Sequence, residues 1–123
     1  MADKRHELGR RGEELAAKHL MEKGYRLVGR NLTNAIGELD LVALDGATVV
    51  VVEVKTRSRT GRAPAEAVNY RKQLKLTRTA ALFLKSQNWL SRSMRFDVVE
   101  VVLPPGAAPY IHHIKSAFDA VGS

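Results

Sequence analysis

A chain of 123 residues with 45% hydrophobic content is long enough for one folded domain around one core, and too apolar for general disorder. It has no cysteine, which excludes disulfides and thiolate metal sites and fits a reducing, cytoplasmic setting. Twenty Lys and Arg against 13 Asp and Glu leave a net charge of +7, a balance that favours polyanions, nucleic acid ahead of an anionic membrane surface.

In chain order, the first thirteen residues are too polar for a secretory signal, and no run approaches the roughly 18 apolar residues of a membrane span. Helical periodicity runs from Arg5 to Lys23. Glu7, Arg11, Glu14, Lys18 and Glu22 form a polar stripe, and Leu8, Leu15, Ala16, Ala17 and Leu20 lie opposite it with Gly9 and Gly12. Gly24 marks the helix end. Tyr25–Arg30 reads as a short strand and Asn31–Ile36 as a polar loop. Strands Gly37–Leu44 and Thr48–Arg57 follow, as a hairpin about Asp45-Gly46. Ser58–Ala63 is a basic loop, and Pro64 suits the start of a second helix running to about Ser86. After a break at Gln87–Ser93 come a strand over Met94–Leu103, a proline-rich loop and an edge strand over Tyr110–Lys115. The order α-β-β-β-α-β-β predicts an α/β domain, a mixed five-stranded sheet flanked by helices.

The hairpin is apolar yet carries charges. Alternation puts Glu53 and Lys55 on one face of their strand, and Glu38 and Asp40 on one face of theirs. Pairing brings the Asp40 and Glu53 carboxylates together, where they repel unless a cation sits between them. Their oxygens suit Mg²⁺ or Mn²⁺. A half-exposed strand with solvated charges shows the same alternation. Glu13 adds weight, because it falls inside the apolar arc of its helix, where a carboxylate is costly unless paired or metal-bound. Gln73 falls among Leu76, Ala80 and Leu84, the place of a core glutamine or an auxiliary to the site. Arg71, Lys75 and Arg78 recur at i, i+4, i+7 with Lys72 beside them. With Arg57, Arg59 and Arg62 they form a stripe suited to a phosphate backbone or to plain solvation. His112 and His113 are adjacent and point to opposite strand faces, and Trp89 reads as a packing residue.

"ELDLVALDG…VVVVEVKTR" resembles the core of the PD-(D/E)XK nucleases, an aspartate in one strand and Glu-X-Lys in the next. The first helix, "GRRGEELAAKHLMEKGY", resembles the opening of archaeal Holliday-junction resolvases. Together "GRRGEELAAKHL", "NLTNAIGELDLVALDG", "VEVKTR" and "RFDVVEV" are similar to the YraN family of bacterial proteins regarded as endonucleases, over residues 8 to 119. One departure is Leu39, where the superfamily often has proline before the aspartate.

The resemblance implies a restriction-endonuclease-like fold and metal-dependent hydrolysis of DNA, branched DNA included. It casts Asp40 and Glu53 as metal ligands with the Val54 carbonyl as a third, Lys55 as the group that orients or deprotonates the attacking water, and Glu13 as outer-shell support or a ligand for a second ion. Glu38 is auxiliary. DNA is expected as partner ahead of RNA, with a homodimer if a junction is cut symmetrically. The alternatives are a nucleic-acid-binding module on the same fold and a basic protein docked on a larger assembly.

Overall fold

The computed structural model describes residues 4–58 and 68–121. Their elements follow the expected order: α1 Lys4–Glu22, β1 Arg26–Thr33, β2 Glu38–Asp45, β3 Thr48–Arg57, α2 Tyr70–Ser86, β4 Met94–Val102 and β5 Tyr110–Phe118. The strands form one sheet in the order β1-β2-β3-β4-β5. Only β3 and β4 pair in parallel; their neighbours pair antiparallel. The parallel pair needs a crossover connection, and α2 lies within it.

Each helix covers one face of the sheet. Ala16, Ala17 and Leu20 of α1 pack against Leu41, Ala43, Val50, Val52, Val99 and Val101. Leu76, Ala80 and Leu84 of α2 pack against Leu39, Val42, Val49, Val51, Phe96 and Val98 on the other side. This explains why β3 and β4 are nearly continuous runs of valine, since strands buried on both faces do not alternate. Each buried Val or Leu contributes about 1.5–3 kcal/mol, so the sheet centre is rigid enough to hold charged groups at its end. Among the described residues, no helix is long and apolar enough to cross a membrane.

Most element ends fall within a residue of expectation, and four differences have a clear physical reason. β1 runs on to Thr33, because Leu32 and Thr33 pair with Leu39 and Glu38; Asn31 and Thr33 are polar because they lie on an edge strand. The hairpin loop is Gly46-Ala47, one residue later than expected, and Asp45 stays in the ladder opposite Thr48. Gly46 has φ +60, and the Asp45 carboxylate binds Arg95 at 3.0 Å. Helix α2 begins at Tyr70, with Asn69 Oδ1 accepting the Lys72 N–H at 2.9 Å; Val68 and Asn69 precede the helix, and residues 64–67 fall outside the described ones. β5 continues to Phe118, which stacks on Phe96 with ring centroids 4.8 Å apart.

That last extension is held by a buried carboxylate. Asp97 is fully buried and accepts from Arg95 Nε at 3.0 Å and from the Ser116 N–H at 3.0 Å. His113 Nε2 lies 2.8 Å from its other oxygen. Burial alone would raise its pKa, but His113, Arg95 and the Ser116 N–H hold it below the usual carboxylate range. His113 is therefore a packing residue of β5. Trp89 meets Phe83 edge-on, as a packing residue should.

Candidate active site

The site begins where two strands part. The β2–β3 ladder ends at the pair Leu41 and Val52, while β3 stays paired with β4 as far as Arg57. Beyond the fork, the Val54 N–H is taken by the Asp40 carboxylate, at 2.9 Å. Asp40 thus replaces a β2 backbone carbonyl, which fixes its side chain at the fork.

Alternation along β3 turns Val49, Val51, Glu53 and Lys55 toward α2. Glu53 is 8% exposed. It shares a cleft of about 270 Å³ with Glu38, Asp40, Lys72, Lys75, Leu76 and Thr79. Asp40 also lines a second hollow of about 310 Å³ on the α1 side, with Leu8, Gly9, Glu13, Val54 and Thr56. Glu13 therefore points toward the fork, at the seam of the two faces. Its helix comes close because residue 12 is glycine: a Cβ there would run into the Thr56 side chain.

The electrostatics follow from this crowding. Burial, then the charge of Glu53, pushes the Asp40 carboxyl up from 3.8 to about 7, against the Val54 N–H that favours its ionised form. Burial and the nearby Glu38 raise the pKa of Glu13. Burial, then contact with Lys72, lowers that of Lys55. Burial opposes the charge on Lys72 as well, but its bonds to Glu53 and Lys55 outweigh it and raise its pKa.

Two cations already attend Glu53. Its Oε1 lies 2.6 Å from Lys72 Nζ and 3.5 Å from Lys55 Nζ. Asn31 contributes from β1, at the left-handed φ of 47. With its amide turned so that the NH₂ faces the carboxylates, it donates to Glu13 Oε2 at 2.9 Å and Glu38 Oε1 at 3.0 Å. Among the described residues, no three His, Cys, Asp or Glu side chains are gathered closely enough to enclose an ion unaided. The donor set that fits a hard cation is smaller. It is Asp40, oriented by Val54, and Glu53, with a backbone carbonyl and solvent making up the rest, as Mg²⁺ tolerates.

The fork therefore gathers Glu13, Glu38, Asp40, Glu53 and Lys55. Other residues singled out in the sequence lie elsewhere. Arg57 is half-buried, with Nε 2.8 Å from Glu100 Oε2 but not aligned as a hydrogen bond. Its Nε thus faces Glu100 within the sheet. Gln73 Nε2 donates to the Val68 carbonyl at 2.9 Å and lines a separate hollow with Val98 and Ile114. Its polar group serves the helix entrance. Arg71, Lys75 and Arg78 are exposed on α2 as expected. Lys72 is turned inward to Glu53. Arg59 and Arg62 fall outside the described residues.

Two site residues are not evident as such from the sequence. Lys72 stands at i, i+4, i+7 with Leu76 and Thr79, both buried, a spacing that places it on the packed side of α2. Asn31 carries no comparable signal, because its strand reads as a polar loop.

A sheet of this order, with a helix on each face and a carboxylate fork at one end, is the α/β arrangement of the restriction-endonuclease-like fold. A model of the Uncharacterised protein family UPF0102 matches residues 12–101. Among the relatives, a UPF0102 protein of Nocardia farcinica is 46% identical over 112 residues, 90% of this chain and 88% of its own length. One of Pseudomonas savastanoi pv. phaseolicola is 45% identical over 118 residues, 94% and 96% of the two chains. One of Persephonella marina is 36% identical over 112 residues, 90% and 92%. The chain belongs to the UPF0102 family, the YraN family of the resemblance.

Proposed function

We propose that this protein is a divalent-metal-dependent endonuclease that hydrolyses phosphodiester bonds in DNA, with Mg²⁺ or Mn²⁺ as its ion. The observation that carries the reading is the convergence of Asp40 and Glu53, from two diverging strands, on one cleft. Lys55 Nζ lies 3.5 Å from Glu53.

Asp40, Glu53 and the Val54 carbonyl would hold the ion, which when bound supplies positive charge to the phosphate and lowers the pKa of a water. Lys55 sits on the same face as Glu53, where its lowered pKa eases proton exchange with the attacking water. Lys55, in its neutral form, would take a proton from the water as its oxygen bonds to phosphorus; one P–O ester bond breaks, and the leaving oxygen takes a proton from solvent. Glu13, with Asn31 between it and Glu38, keeps carboxylate charge at the outer edge of the site. Arg71, Lys75 and Arg78 supply sequence-independent phosphate contacts beside the cleft. A cytoplasmic setting fits the cysteine-free chain, and symmetric cutting of a junction calls for a homodimer.

A second reading, a nucleic-acid-binding module without cleavage, draws on the Lys72–Glu53 pair, which neutralises a proposed ligand. The deciding experiment incubates pure protein with end-labelled duplex, branched and single-stranded DNA in Mn²⁺, Mg²⁺ or EDTA. Cleavage of any DNA with metal and none in EDTA is the expected result. DNA binding without cleavage under all three conditions selects the binding module.

A further inference from the structure

Lys72 has a relation to the cleft that a phosphate-tracking stripe does not explain. Helix α2 presents it from its first turn, where Asn69 fixes its backbone N–H. Its ammonium lies 2.6 Å from Glu53 Oε1, and its side chain is 39% exposed against 9% for that of Glu53. Two near-buried acids meet at the fork, and among the described residues the cation from another element that pairs with either of them is this one.

Lys55 cannot play the same part. It is anchored two residues from Glu53 on the same strand, 3.5 Å away and less exposed, at 21%. Lys72 hangs on a flexible four-carbon stem from a different element and has solvent at its back. A divalent ion that took both carboxylates would meet the Lys72 ammonium at the same oxygen. Two cations at hydrogen-bond range repel strongly in a half-buried setting, so one must leave.

We propose that Lys72 is a displaceable internal cation of the Asp40–Glu53 site: its ammonium neutralises Glu53 until a divalent ion takes the two carboxylates, and then swings out to a phosphate of the bound strand. The inference rests on the cation site named under Proposed function. It makes Lys72 a positioning residue whose presence lowers metal affinity, the reverse of what loss of a site residue ordinarily does. It also keeps the fork from carrying two uncompensated buried charges, which are costly when left unpaired.

The test is calorimetric titration of Mn²⁺ into wild-type protein and into Lys72→Met, Lys72→Arg and Lys75→Met, without DNA and in phosphate-free buffer, with circular dichroism to confirm folding. Lys72→Met should bind Mn²⁺ about tenfold tighter or more, a change of about 1.4 kcal/mol. Lys72→Arg, which keeps the cation, should stay near wild type. Lys75→Met, which removes a charge from the same cleft but no contact with Glu53, should change affinity by less than about threefold. Binding by Lys72→Met alone would support the inference equally. If wild type binds Mn²⁺ and folded Lys72→Met binds it no tighter, the inference falls and the cation site stands. An equal gain in Lys75→Met overturns it too, since diffuse charge would then be the cause. If no protein in the set binds Mn²⁺, the cation site itself fails and the inference with it. Should Lys72→Met not fold, Lys72→Gln carries the same test.

Discussion

Asp40 is the residue on which the fork turns, and its titration has a definite sign. Its carboxyl titrates near 7 in the folded chain against an ordinary 3.8. Between those values the folded state holds a proton that the unfolded state has released. The contribution of Asp40 to stability is therefore greatest below about pH 4, falls as pH rises toward about 7, and is level above that. Asp40→Asn keeps an oxygen for the Val54 N–H and removes the charge. In EDTA the variant should be more stable than wild type at pH 8 by on the order of 2 kcal/mol, with the difference vanishing below pH 4. Urea denaturation across the pH range checks this, and an unchanged pH profile in the variant would assign the titration to another group. Asp40 and Glu53 were legible as a pair because strand alternation and the hairpin register bring both to the end of the β2–β3 ladder, one residue past its last pair. Asn31 was not, because its part depends on a left-handed φ inside an edge strand, which polar residues in the sequence disguise as a loop.

Between elements, the placement of α1 matters most. Gly12 lets its backbone lie against Thr56 of β3, and Glu13 follows immediately. Gly12→Ala should gain up to about 1 kcal/mol in helix propensity and lose about 1–3 kcal/mol to overpacking. The net is a lower thermal midpoint and a displaced Glu13, read by thermal denaturation; a midpoint equal to or above wild type would show that Thr56 rotates away freely. The helix was easy to recognise from its apolar arc, and so was its end at Gly24, with φ +91. The start of α2 was not. Pro64 is a good helix opener, but Asn69, with a side chain able to cap Lys72, is the residue that opens this one. The ends of β1 and β5 were misjudged for a related reason: Asn31, Thr33 and Ser116 are polar on edge strands, where polarity does not end a ladder.

For the molecule as a whole, the proposed affinity for polyanions rests on the +7 charge, and exposed Arg71, Lys75 and Arg78 are the residues that would carry it on α2. If these side chains hold phosphates, Arg71/Lys75/Arg78→Ala should weaken binding to duplex DNA of any sequence and flatten the log-affinity against log-salt slope by about 0.9 for each phosphate no longer neutralised. Fluorescence anisotropy over a salt series measures it; an unchanged slope would mark an ordinary solvated helix. The sheet order was legible at the level of element sequence, whereas the partition of basic residues into committed and free was not. Nothing in the chain's charge pattern distinguishes Arg57, which faces Glu100, from the arginines of α2. The parallel seam between β3 and β4 has a consequence for when the site comes into being. Glu13, Asp40, Glu53 and Lys55 belong to the α1–β3 half of the chain, and β1, β2 and β3 reach their neighbours through short connections. Lys72 and the stripe on α2 arrive with the crossover, which is locked only when β4 docks in parallel on β3, a non-local closure of the slow kind. Until then the early half has its acids with Lys55 beside Glu53 but without the closer cation, Lys72. On this topology the complete cleft is expected late in folding, so that a chain presenting it has already closed its sheet.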